Sequence, residues 1–496
     1  MRLFPLLLFC STICAAQQKA ITDIAGGCST TNLKKNLYYL ASAKMEGRAM
    51  GSKGDVLAAN YVAAAYKANG LTAPYDKNRS YFQSITAILK QDKATLTINN
   101  KRFDIFDGWQ LYPSLPADLK DMPVILANHT SPDDFYRDLP QMEVREKAVV
   151  LNGVLMAKFF KSGIDSLSNV LTKRGALAII WSSPSVSKVL DRQRSRKFIP
   201  QYVQPQTPAP GSVLPLPEIA LSPERLKTLL AADNLTTNTD GTLQNPGDKN
   251  YRELKTIVSV ELNRQFKETH APNVIGMIKG TDTSLASVVI SAHHDHDGVN
   301  GKEIYYGAVD NASGTVAVME IAAMMNRAVK QGLRPKRTIV FASFTGEERG
   351  LLGSAWYVAH PVQPMEKTYA VLNIDMMGRP DTIHVNHKMA DSTNYAYILV
   401  KDTLNRGLRD ALYGANDAST KLTLDTHYEA PQYIMRRLTG SDQYYFYLKG
   451  VPFIRIDCGF STDYHKPTDT PDRVNYSLLT KQTQLAFVTL WNLANK

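Results

Sequence analysis

From residue 256 to the C-terminus, short apolar runs rich in Val and Ile alternate with stretches of helical periodicity, and this alternation most constrains the fold. Runs at 287–292, 338–344, 369–375 and 451–456 read as buried strands. Helical patterns over 312–329, 349–359, 398–413, 441–449 and 476–494 fall between or after them. The expected fold is α/β, a mainly parallel central sheet flanked by helices. A second pattern is laid over the first. Each run is followed by an acid or a histidine: Ser291-Ala-His-His-Asp-His-Asp-Gly298 with Asp310 downstream, Phe344-Thr-Gly-Glu-Glu348, Leu372-Asn-Ile-Asp375, and Asp463-Tyr-His-Lys-Pro467. Open α/β sheets bind ligands beyond the carboxyl ends of their strands, so these groups are expected to converge on one edge.

The chain has 496 residues, too many for one ordinary core. Before 118 the spacing of Leu33, Leu37, Leu40 and Ala41 predicts one helix, with Ser29 to Thr31 as caps. A second is expected from Asp55, its N-cap, to about Asn69, with Gly70 as the stop. Between them lies the Gly-containing loop Met45–Ser52, and residues 81 to 110 look β-rich. From 118 to 235 short strands, a Pro-rich stretch from Pro200 to Pro217 and a helix capped by Ser222 predict a smaller β-rich inserted domain. A polar linker follows. The expected divisions are 29–117 and 250–496 for the main domain and 118–235 for the insert, which carries no His/Asp/Glu constellation of its own.

At the N-terminus Arg2, the apolar segment Leu3 to Ile13 and the small residues of Cys14-Ala-Ala16 predict a secretory signal peptide cut near Ala16. The mature chain is expected to be secreted or periplasmic and not inserted in a membrane. The net charge of +11 comes from scattered Lys and Arg, apart from Arg192, Arg194, Arg196 and Lys197 in a polar, Pro-flanked stretch. That does not mark a nucleic-acid binder. Cys28 and Cys458 remain after signal removal; an oxidising compartment permits a disulfide, and the sequence leaves the pairing open. Two cysteines do not make a zinc–thiolate cluster, so a metal here must rely on imidazole and carboxylate.

Those are ligands that zinc accepts at about 2.0–2.2 Å. Five side chains suffice for two ions: Asp310 bridging, His293 and Asp375 completing one site, Glu348 and His465 the other. Asp295, two residues from His293, can orient that imidazole. Adjacent Glu347 and Glu348 point apart, so one can face metal and the other substrate, as a general base. Tyr464 can donate to a developing oxyanion.

The set His293-His-Asp295, Gly307-Ala-Val-Asp-Asn-Ala-Ser-Gly314, Gly346-Glu-Glu348, Asn373-Ile-Asp-Met-Met-Gly378 and Tyr464-His-Lys-Pro-Thr-Asp469 resembles peptidase family M28. The resemblance implies a co-catalytic exopeptidase with two Zn2+ ions per chain, acting on peptides, in most members as an aminopeptidase. It makes His293, Asp310, Glu348, Asp375 and His465 the metal ligands, Glu347 the base, Asp295 the orienting acid and Tyr464 an oxyanion donor. Glu46-Gly-Arg48 with Gly51-Ser52 resembles the family's opening loop, and the insert is similar to a protease-associated (PA) domain. Gly440-Ser-Asp442 is usually continued by His, where this chain has Gln443. A glutaminyl cyclase-like single-zinc acyltransferase, a carboxypeptidase and a non-catalytic binding ectodomain on the same fold remain alternatives.

Overall fold

The computed structural model describes residues 16–75, 80–112, 118–162, 164–187, 190, 201–203, 216–238, 241–244, 249–387 and 393–496. Most of the predicted signal segment and of the Pro-rich stretch, and the basic cluster at 192–197, lie outside them. Among the described residues no helix is long and apolar enough to cross a membrane. The chain forms two units: one from the residues up to Ala87 with Glu268–Lys496, the other from Ile88–Lys267.

In the first unit we label α1 (Thr30–Leu40), α2 (Lys53–Ala68), β1 (Tyr251–Ile278, of which the end from Glu268 belongs here), β2 (Ser287–His293), α3 (Gly314–Lys330), β3 (Ile339–Phe344), α4 (Leu352–Ala359), β4 (Thr368–Ile374), β5 (Tyr395–Lys401), α5 (Leu408–Ala418), β6 (Thr423–Asp425), α6 (Pro431–Thr439), α7 (Gln443–Leu448), β7 (Phe453–Asp457) and α8 (Tyr476–Asn495). The strand order is β6-β5-β7-β4-β2-β3-β1. Strands β3, β2, β4 and β7 run parallel, in register Ala292↔Ser343, Ser291↔Asn373 and Asn373↔Arg455. Strand β1 closes one side antiparallel to β3, and β5 pairs antiparallel with β7. Every residue of β2, β3 and β7 is buried, as expected of parallel strands covered on both faces. On one face α1, α2, α3 and α8 pack with Val288, Ile290, Phe341, Leu372 and Ile454. On the other, Val289, Val340, Val371 and Phe453 pack with Tyr357 of α4 and Phe446 of α7.

Two local expectations are corrected. The helix expected over 398–413 is instead strand β5 followed by α5: Tyr395-Ala-Tyr-Ile-Leu-Val400 is buried throughout, and helix begins only after Gly407, which takes a left-handed conformation with φ +68°. An all-buried apolar run has no periodicity that separates strand from helix. The N-cap of α2 is Ser52, whose hydroxyl accepts from Asp55 N at 3.2 Å; Asp55 Oδ2 reaches back to Gly51 N at 2.8 Å. Asp55 thus sits at N3 rather than at the N-cap, its carboxylate satisfying the backbone of the residue before the cap.

The second unit holds four parallel strands, Leu119–Ala127, Ala148–Leu151, Ala178–Ser182 and Glu218–Leu221, and Trp109–Tyr112 lies antiparallel to the last. It begins at Ile88 rather than 118 because Leu96, Ile98 and Trp109 share one core with Met122, Val124, Ile180 and Ile219.

Candidate metal centre

Each candidate ligand follows from where a strand stops. Strand β2 ends on His293, a tight turn after β3 carries Glu347 and Glu348, Asp375 follows the last residue of β4, and the loop after β7 carries Tyr464 and His465. Asp310 sits between a short hairpin, Gly298–Asn300 with Glu303–Tyr305, and α3. The first parallel strands therefore deliver their terminal side chains to one end of the sheet. All five candidate ligands meet there. His293 Nε2 lies 3.3 Å from Asp375 Oδ1 and 3.5 Å from Asp310 Oδ1. His465 Nε2 lies 2.9 Å from Asp310 Oδ2 and 3.3 Å from Glu348 Oε2. Asp310 thus offers one oxygen to each histidine. A tetrahedral site with bonds of about 2.0–2.2 Å has ligand–ligand edges of about 3.3–3.6 Å, and three of these four separations fit that range.

The charge balance points the same way. Burial, reinforced by the neighbouring Glu348, pushes the Asp310 carboxyl well above its usual range. Burial with Asp375 and Glu348 nearby does the same for Glu347, against the pull of His293. Asp375 is the exception: burial would raise it, but Arg455, whose Nη2 donates to Asp375 Oδ2 at 3.0 Å, holds it below the usual carboxylate range. A buried surplus of carboxylates, with imidazoles at ligand spacing, fits a divalent cation pair. Among the described residues three groups present ligand atoms close enough to share an ion: His293/Asp310/Asp375, His296/Asp310/Glu348 and Asp297/Glu348/His465. Asp310 belongs to the first two.

Asp295 is fully buried. Its carboxylate stands 3.5 Å from His293 Nδ1 and accepts from Glu347 N at 3.1 Å and Glu348 N at 3.4 Å. It therefore holds the imidazole and the Glu347–Glu348 turn at once. Burial pushes its carboxyl upward, but the bond to His293 together with the charges of His293, His294 and Arg349 brings it below its usual range. The nearest approach of Glu347 to His293 is 3.9 Å from Oε2 to Nε2. Tyr464 lies against His465, ring centroids 3.9 Å apart, and lines the same cavity as Asp310, Glu347 and Asp375. Burial and the adjacent Asp310 push its phenol upward, which keeps it a proton donor.

Several residues that sequence reasoning set aside or left without a role also build the site. His296 is buried, with Nδ1 2.8 Å from Glu348 Oε1, so a second histidine of the His293–His296 run reaches the centre. His294 faces away: Nδ1 pairs with Ser343 Oγ at 3.0 Å and Nε2 with Asp55 Oδ1 at 3.2 Å. Arg48, fully buried, donates to four carbonyls, Leu40 O, His294 O, Tyr306 O and Gly307 O, at 2.6 to 2.9 Å. It ties the opening loop to both ligand-bearing loops. Asp469 accepts from Val309 N and Asp310 N at 3.0 to 3.1 Å and fixes the backbone that presents Asp310. Gln443, where the resembling family usually has His, accepts from Asn373 Nδ2 at 2.8 Å and donates to Arg437 O and Leu438 O at 3.0 and 2.9 Å. An amide meets all three demands with one acceptor oxygen and two N–H donors; a neutral imidazole offers one acceptor and one N–H, a donor too few. The Gly-Arg and Thr-Asp pairs quoted above were the signal available for Arg48 and Asp469. Cys28 and Cys458 are buried and not bonded to one another.

Residues 273–490 match the model of peptidase family M28. Mouse (Mus musculus) aminopeptidase NAALADL1 is 32% identical over 121 residues, 24% of this chain and 15% of the relative. Probable glutamate carboxypeptidase LAMP1 of Arabidopsis thaliana is 36% identical over 104 residues, 21% of this chain and 14% of the relative. The chain therefore spans less than a fifth of the length of these curated relatives. The solved aminopeptidase from Aneurinibacillus sp. strain AM-1 superposes with a TM-score of 0.59 at 16% identity, covering 96% of each chain. The zinc aminopeptidase of Bacillus subtilis gives 0.56 at 18%, covering 94% of this chain and 95% of that one. At these identities the two structures share the fold.

Proposed function

We propose that this chain, whose residues 273–490 belong to the M28 peptidase superfamily, is an exported di-zinc exopeptidase that releases N-terminal residues from peptides. The observation that carries the reading is the pair of histidines joined through Asp310 at 2.9 and 3.5 Å, with Glu347 beside them. His293, Asp310 and Asp375 would hold one zinc, and His465, Glu348 and the same Asp310 the other. Zinc bound there polarises a carbonyl and makes water a nucleophile near neutral pH. Glu347 takes the proton of the attacking water and passes it to the leaving amine, a contribution typically of ~10²–10⁴-fold. Asp295 orients His293 and the backbone of Glu347, and Tyr464 donates to the oxyanion that forms from the scissile carbonyl. Arg455 keeps Asp375 ionised and ready to bind metal.

Removal of residues from the N-terminus is the direction favoured here, and the names of the relatives, aminopeptidase and probable glutamate carboxypeptidase, mark both directions as ones to assay. A glutaminyl cyclase-like enzyme needs one zinc and fewer ligands, so five converging side chains speak for the peptidase. The test is Glu347→Gln. Zinc content should stay at the wild-type level while turnover of aminoacyl anilides falls at least ~10²-fold. Normal turnover by that variant would remove Glu347 as the base.

A further inference from the structure

The cavity beside the candidate metal centre has a volume of about 100 Å³ and is lined, besides the acids, by three arginines: Arg436, Arg437 and Arg455. Two are committed to the protein. Arg455 binds Asp375 through Nη2 at 3.0 Å and Asp457 through Nε at 3.1 Å; Arg437 binds Asp457 at 2.9 Å and stacks on Tyr428. Arg436 differs. It is exposed, and among the described residues no carboxylate lies within salt-bridge distance of it. Its guanidinium lies 5.5 Å from the centroid of Phe460, which lines the same cavity.

A basic residue in the last turn of a helix often serves only to satisfy the terminal carbonyls. Here other groups fill that role. At the end of α6, Arg437 O and Leu438 O accept from Gln443, and Arg437 O and Gly440 O accept from Arg455. Arg436 is left as a cation at the cavity, steadied by one aromatic face and without a paired carboxylate among the described residues. A guanidinium fork matches a carboxylate in two parallel hydrogen bonds.

We propose that Arg436 reads a carboxylate on the substrate, so that the enzyme prefers peptides carrying a negative charge within reach of the scissile bond. This rests on the peptidase reading above and names its substrate class. The carboxylate has two possible sources, an Asp or Glu side chain at the N-terminal residue or the free C-terminus of a dipeptide. Matched pairs separate them: glutamyl against glutaminyl 4-nitroanilide for the first, Ala-Ala against its C-terminal amide for the second. With the zinc-loaded full chain, kcat/KM should favour the charged member of one pair at least tenfold. Arg436→Gln should reduce that ratio at least tenfold, through KM rather than kcat, and Arg436→Lys should restore part of it. Arg137→Gln, an exposed arginine of the second unit, should leave the ratio unchanged. Ratios near one in both pairs, or a preference that Arg436→Gln does not alter, would overturn the proposal while leaving the peptidase intact. Failure to hydrolyse any member of either pair would instead overturn the peptidase reading, and this proposal with it.

Discussion

Arg48 is where packing and chemistry are most tightly joined, and Arg48→Met tests that joint. The guanidinium is fully buried and donates four hydrogen bonds, to Leu40 O at 2.6 Å, His294 O at 2.7 Å, Gly307 O at 2.8 Å and Tyr306 O at 2.9 Å. Its charge also faces Asp295, Asp469 and Asp310. Methionine fills much of the volume but leaves four carbonyls without a donor. Hydrogen bonds to a charged group contribute about 1.5–3 kcal/mol each. They are not additive, and removing one member of a buried charged network costs about 3–5 kcal/mol as a whole. We therefore expect the first unit to lose ~3–5 kcal/mol. Because the chain has two units, a single global unfolding curve does not isolate this loss. The readouts are hydrogen exchange at the His296 amide, which bonds to Arg48 O at 3.2 Å, and zinc affinity by competition with a chelator. Exchange there should accelerate by more than ~10²-fold, since each 1.4 kcal/mol is a factor of ten, and zinc should bind more weakly. A loss under ~1 kcal/mol with unchanged zinc affinity would show that the four-carbonyl clamp does not hold the ligand loops.

Other tests follow from neighbouring contacts. Asp469→Ala removes the acceptor for Val309 N and Asp310 N and should weaken zinc binding by ~10–100-fold, the usual cost of losing a group that orients a ligand; isothermal titration reads it. Gln443→Ala leaves Asn373, Arg437 and Leu438 each short of a partner and should cost ~1–3 kcal/mol, measured as a fall in the thermal midpoint of the first unit. Burial pushes the Cys28 thiol up to about 12 and Cys458 upward as well. Reaction with a thiolate-selective reagent at pH 8 should therefore be slow in the native protein, and both cysteines should react once it is denatured without reductant. Failure of both to react after denaturation would show that they pair.

The site was legible because its chemistry sits where strands stop. An apolar run ending in His293, Glu347 or Asp375 reveals both a buried strand and a polar group at its carboxyl end, and parallel pairing then brings such ends together. Residues that act by tying loops left no periodic trace. Arg48 lies far from Gly307 in sequence, and apart from its place in Glu46-Gly-Arg48 no periodicity tells a buried cation from a solvated one. The role of His296 was hidden by its neighbours, because which of three nearby imidazoles turns inward depends on backbone direction past the end of β2. Strand β5 was misread for a related reason: burial on both faces erases the alternation that separates strand from helix. The second unit begins ahead of the expected boundary because Leu96 and Trp109 join its core through contacts distant in sequence.

Zinc content bears most directly on the claim that five side chains grip two ions through a shared Asp310. Equilibrium dialysis followed by elemental analysis should give two zinc ions per wild-type chain, and Asp310→Ala should lose both sites to a mild chelator. A single zinc in the wild-type protein, or two retained by Asp310→Ala, would contradict it.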